Sequence, residues 1–203
     1  MDTLNIITLF LYNIVVYNIP LLYGTVGEII TEKSGSLNLG VEGLMFMGGA
    51  FGLCGAFVYG QAAGDHAVGA VAVAIALLAS FAAGVIGSLI FSFLTITLRA
   101  NQNVTGLALT IFGTGVGQFV GELMRLKVGG NVTVSNALKD AFANPVLPKF
   151  LQDIPVVGPI LFSYNFFVYL GFAAAIIMAY VMAKTRCGLS LCAVGESPAT
   201  ADA

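Results

Sequence analysis

Charge is what this sequence has least of. Of 203 residues only 9% are charged, eight basic and ten acidic, where a soluble domain carries about 25%. With 58% hydrophobic residues and a mean hydropathy of +0.96, that scarcity excludes an ordinary cytosolic enzyme. It equally excludes disorder, which needs low hydrophobicity and high net charge. A net charge of −2 leaves no basic surface for nucleic acid, whose binding depends on Lys and Arg neutralising phosphates. Histidine occurs once, at His66, and the three cysteines, Cys54, Cys187 and Cys192, form no Cys-x-x-Cys pair, so neither a zinc site nor a disulfide framework is indicated. No Walker sequence, His-Glu-x-x-His or Gly-x-Ser-x-Gly elbow is present, and acid-base or nucleophilic chemistry lacks its usual residues. The reading is that the chain is not an enzyme. The start, Met1-Asp2-Thr3, lacks the positive region of a cleavable signal peptide, so the first apolar stretch is expected to remain in the mature protein.

What is present is a series of long uncharged runs. Asp, Glu, Lys, Arg and His are all absent from 3–27, 43–64, 67–98, 100–121 and 154–183. A helix rises 1.5 Å per residue, so about 20 residues cross a hydrocarbon core of roughly 30 Å, and each run holds one spanning helix. The expectation is an all-α, polytopic helical membrane protein with about five transmembrane helices, one transmembrane domain over 1–203. The run from Ala67 to Phe93 lacks the apolar-polar alternation of a transmembrane barrel. Residues 122–153, with Arg125, Lys127, Lys139, Lys149, Asn144-Pro145 and Pro148, read as the one sizeable polar loop. Lys33, Arg99, Lys184 and Arg186 fall on the other side, so the count of basic residues ties and the positive-inside rule alone leaves orientation open. The concentration of this second set in short connections favours that side as the inner one, with the N-terminus outside.

Gly113, Gly117 and Gly121 recur at four-residue spacing, as do Gly48 and Gly52. Such faces let helix backbones approach closely in lipid and are read as packing surfaces. The string Gly113 to Gly117 is no phosphate loop, because it follows no strand and lies inside an apolar run.

Three polar clusters interrupt the apolar runs. The first, Glu32 to Gly43, leads into the second span; if that helix begins near Leu37, Glu42 lies about 7 Å along it. Asn38 and Glu42 then either belong to a solvated helix end or line a pathway. The second, Arg99 to Gly106, opens the fourth span, and its Asn101 and Gln102 either bond between helices or form a gate. The third, Lys184 to Ala203, reads as a short amphipathic piece, a glycine turn, and Ser197-Pro198 opening a second helix that docks a soluble partner.

In this order the clusters resemble the permease subunits of bacterial ABC importers, in the nucleoside and simple-sugar branch of the branched-chain amino acid and ribose permease group. The family pattern Glu-Arg-Ser-Gly-x-x-Asn-x-Gly-x-Glu-Gly is matched at Glu32–Gly43 with Lys33 for Arg, Arg-Ala-Asn-Gln-x-Val-Ser-Gly at Arg99–Gly106 with Thr105 for Ser, and the Gly-Leu and Val-Gly-Glu-x-Pro pattern at Gly188–Ala201. Asp153 to Gly158 also resembles the run before the fifth span of nucleoside-type members.

The resemblance implies a subunit of the bacterial inner membrane that forms the translocation pathway for nucleosides, or for simple sugars, by alternating access. Its implied partners are a cytoplasmic ATPase subunit that binds ATP and Mg, a second homologous permease, an extracytoplasmic substrate-binding lipoprotein and membrane lipid, with no cofactor in this chain. It places 122–153 outside the cell and makes 184–203 the cytoplasmic coupling segment, with Gly188, Gly195, Glu196, Ser197 and Pro198 as coupling residues. Asn38, Glu42, Asn101 and Gln102 are the pathway or gate candidates. Ser190 and Cys192 stand where the family has basic residues. The family pattern also continues beyond Ala-Asp-Ala, which implies a fragment. A self-sufficient channel or secondary transporter is the rival from another class. Five spans do not divide into two equal inverted halves.

Overall fold

The computed structural model describes residues 3–197. Eight α-helices account for most of them: α1 (Thr3–Lys33), α2 (Val41–Ala63), α3 (Gly69–Ser92), α4 (Gln102–Val128), α5 (Asn136–Ala143), α6 (Lys149–Gln152), α7 (Phe166–Lys184) and α8 (Arg186–Glu196). Five stretches are long and apolar enough to cross a membrane: Leu4–Lys33, Val41–Ala63, Gly69–Thr97, Gln102–Val128 and Phe166–Lys184. Wider turns of π geometry extend α3 through Phe93–Thr97 and precede α7 at Gly158–Phe162. Among the described residues the only β pairing is an isolated bridge between Pro145 and Asn165.

Helix α2 is the centre of the bundle, flanked by α3 and α4, while α1 pairs with α7. The reason is legible in residue size. Along the α2–α3 seam Gly48 and Gly52 face Ser80 and Ala76, Ala56, Ala72 and Ala83 are buried, and the Ser80 hydroxyl donates to the Gly48 carbonyl at 2.8 Å. Along α2–α4 the backbones touch: a methyl group on Gly113 would lie 2.5 Å from the Gly43 carbonyl carbon, and one on Gly43 would lie 2.6 Å from Thr110 Cα. Large side chains point outward, with Ile96, Ile111 and Phe81 each more than 70% exposed, as a lipid-facing surface requires.

Two boundaries differ from the sequence reading. Helix α4 runs past Glu122 to Val128 and stops at Gly129, whose φ of +70° lets its N–H cap the Arg125 carbonyl. The polar excursion therefore begins at Gly129 rather than at 122. Helix α2 begins at Val41 rather than near Leu37, which puts Glu42 in its first turn. Residues 34–40 are held off the helical path by a Schellman ending of α1: Gly35 has φ +86°, its N–H bonds the Glu32 carbonyl at 3.0 Å, and the Ser36 N–H bonds the Thr31 carbonyl at 3.1 Å.

At the opposite end of the bundle, α5 lies on α3 with Leu138 fully buried. Asn165 joins this region to α7. Its amide donates to the Phe142 carbonyl at 3.0 Å while its carbonyl caps α7 at the Val168 N–H.

Candidate functional site

The densest polar contact in the described residues is at the Lys33 end of the bundle, where the α1–α2 connector meets α1, α4 and α8. The connector exposes backbone groups that no regular structure satisfies, and side chains from α1 and α4 and from the connector itself take them up. Glu28 Oε1 accepts from the Asn38 N–H at 2.9 Å, Gln102 Oε1 accepts from the Leu37 N–H at 3.0 Å, and the Thr110 hydroxyl donates to the Leu39 carbonyl at 2.8 Å. Asn38, 8% exposed, folds its own carboxamide onto the Gly40 N–H at 2.9 Å. Gly106 allows α4 to approach this closely, since a methyl there would stand 2.6 Å from the Leu39 nitrogen.

Helix α8 completes the joint. Thr185 caps it, accepting from the Gly188 N–H at 3.3 Å and donating to the Val181 carbonyl at 2.7 Å. Gly188 is buried against the Val181 and Met182 backbone, which sets the sharp turn between α7 and α8. Gly195, in the last turn of α8, sits directly on the Lys33 carbonyl and Gly35, with no side chain between the backbones. Beside this contact Glu32, Lys33, Cys192, Gly195 and Glu196 line a polar cleft of about 280 Å³.

The structure thus gathers some of the sequence candidates and separates others. Asn38 and Gln102 meet in the joint, each spent on a connector backbone N–H. Asn101 is exposed and caps α4, accepting from the Val104 N–H at 3.1 Å. Glu42 is exposed at the start of α2, where a carboxylate favours the positive end of the helix dipole. Gly113 and Gly117 lie against Gly43 and Phe46, whereas Gly121 is exposed with nothing near it. Gly195 is helical, not a turn, and α8 ends with Ser197 extended. Pro198 and the second helix expected after it lie outside the described residues.

Glu28 is the residue that sequence reasoning missed. It follows directly on the uncharged run 3–27, and α1 continues five residues beyond it to Lys33. Its Oε2 is buried with no hydrogen-bond partner.

At the opposite end an apolar cavity of about 590 Å³ opens between α2, α3, α5 and α7, bordered by Gly52, Ala76, Phe142, Phe167 and Lys139. Nearby, Tyr164 stacks on Tyr12 with ring centroids 5.2 Å apart. Burial first, and the neighbouring Tyr12 and Tyr169 second, raise the Tyr164 hydroxyl above its ordinary pKa. Among the described residues no group of three or more His, Cys, Asp or Glu side chains is placed to hold a metal ion.

Five apolar helices with their polar contacts gathered at the two ends define a multi-pass protein of the cell membrane. The chain belongs to the family described as branched-chain amino acid transport system / permease component, whose model matches residues 10–203. It is 34% identical over 203 residues to the guanosine ABC transporter permease protein NupQ of Bacillus subtilis, covering all of this chain and 60% of that protein. It is 34% identical over 182 residues to the putative glucose ABC transporter permease protein TsgC13 of Haloferax volcanii, covering 90% of this chain and 50% of that protein. It is 28% identical to the nucleoside ABC transporter permease protein NupC of Lactococcus lactis, again over all of this chain and 60% of the relative. The chain therefore spans between half and about three-fifths of the length of these curated relatives. No solved structure gives a significant match.

Proposed function

We propose that this chain belongs to the membrane-spanning subunit of an ATP-binding cassette importer for nucleosides. The supporting observation is the joint at the Lys33 end. A short helix following a membrane span, α8, is seated on the first connector, which is bonded in turn to the helices at the centre of the bundle. That is the arrangement expected of a segment that receives a push from a separate ATPase. In this reading 184–203 is the cytoplasmic coupling segment, with Gly188, Gly195, Glu196, Ser197 and Pro198 facing or shaping the ATPase contact. The loop that begins at Gly129 is extracytoplasmic and faces a substrate-binding lipoprotein. A second homologous permease completes the pathway, and ATP with Mg binds in the partner ATPase. Hydrolysis there tilts α8 and rocks the bundle between outward- and inward-open states. Transport, not catalysis, is the work of this subunit.

The nucleoside assignment follows the two relatives named for guanosine and nucleoside; the glucose-named relative supports the sugar reading. The test is uptake by the whole protein reconstituted with its ATPase and binding protein. Labelled guanosine accumulating only with ATP is the expected result, and glucose accumulation instead assigns the sugar branch. Ion flux from the permease alone, with no response to ATP, would replace the importer reading with a channel.

A further inference from the structure

The connector between α1 and α2 is seven residues without regular structure, and it stands between α8 and the centre of the bundle. A free loop there would absorb a displacement of α8 instead of passing it on. Glu28 and Gln102 are what prevent this. They come from α1 and α4, 65 positions apart in the case of the Gln102 bond, and each accepts a backbone N–H of the connector. The backbone so fixed is the one on which Gly195 rests through Gly35. Thr110 and the close approach of Gly106 carry the same segment onto α4.

We infer that Glu28 and Gln102 are positioning residues for energy coupling: they hold the connector rigid so that movement of α8 at Gly195 reaches α2 and α4. The inference rests on the importer reading above and deepens it, adding Glu28 to the residues on which coupling depends. The Glu28 side chain reaches this place with an acceptor oxygen, which is what a backbone N–H outside regular structure requires. One of its oxygens, Oε1, makes this bond, and Oε2 is buried without a partner.

The experiment measures substrate transported per ATP hydrolysed by the complete importer in proteoliposomes, normalised to assembled complex. Glu28→Ala and Gln102→Leu, each of which leaves a connector N–H without its acceptor, should each lower that ratio about tenfold. Glu28→Gln, which keeps an acceptor at Oε1, should stay within about twofold of the parent. A role confined to stability would reduce the amount of complex and leave the ratio alone. Ratios unchanged in Glu28→Ala and Gln102→Leu would overturn the proposal, as would an equal loss in Glu28→Gln. Should Glu28→Ala fail to accumulate, Gln102→Leu decides on the same ratio. A parent complex with no ATP-dependent uptake would overturn the importer reading and this proposal with it, which separates that failure from the others.

Discussion

At Gly113 the contact with Gly43 is backbone on backbone, so an added methyl has nowhere to go. Gly113→Ala should cost about 1–3 kcal/mol, because relief requires moving a helix rather than a rotamer. Gly121→Ala meets nothing and should gain about 0.5–1 kcal/mol from helix propensity. Thermal unfolding in detergent distinguishes the two, and equal effects would show that the α2–α4 contact is looser than described. Asn101→Ala removes the α4 cap and should cost about 1 kcal/mol in the same assay. The four-residue spacing of Gly113, Gly117 and Gly121 was legible in the sequence, but spacing marks a face without saying how far along it the neighbour runs. Here α2 covers the first two positions and not the third. Glu28 was illegible for a different reason. A carboxylate near a helix end looks the same in sequence whether it faces water or a backbone N–H ten residues on.

Among the elements, helix ends decide what the connections can do. The five spans were legible because their uncharged runs exceed the length a bilayer needs, while their ends were less so. The boundary at Glu122 relied on charge alone, yet Glu122 and Arg125 pair at 2.8 Å on an exposed face and the helix continues beneath them. The better stop signal was Gly129-Gly130 after Lys127. The second cluster shows a further device. The π-helical end of α3 is followed by Arg99 at φ +53°, a left-handed conformation that a side-chain-bearing residue adopts at a cost. Arg99→Gly should therefore relieve backbone strain and stabilise the α3–α4 turn by roughly 1 kcal/mol, read from the unfolding midpoint. A lower midpoint would show that the arginine side chain contributes more than its backbone costs.

For the molecule as a whole, five spans place the Thr3 end of α1 and the Lys184 end of α7 on opposite sides of the membrane. Under the proposed orientation His66 is outside and Cys187 inside. His66→Cys in a background lacking the native cysteines should react with a membrane-impermeant maleimide on intact cells. Cys187 alone, exposed as it is, should react only after permeabilisation. The reverse pattern would invert the orientation. Class and family were readable from composition and three motifs, whereas the pairing of α1 with α7 was not, since nothing local in either helix names a partner so distant.

That distant pairing has a consequence for how the protein is made. Helix α1 leaves the ribosome before any of the others, but its main neighbour is α7. Residues 34–165 must be synthesised before α7 begins, which at roughly 5–20 residues per second takes on the order of ten seconds. During that interval α1 sits in lipid or beside the insertion machinery, with Tyr12 and Tyr23 still without the Tyr164 ring and Phe167 carbonyl that they later meet. Glu28 waits far less, for Asn38 is only ten residues behind it. The half-buried carboxylate near the end of α1 is thus engaged early in biosynthesis, and the apolar length of the helix is left to a late-arriving partner.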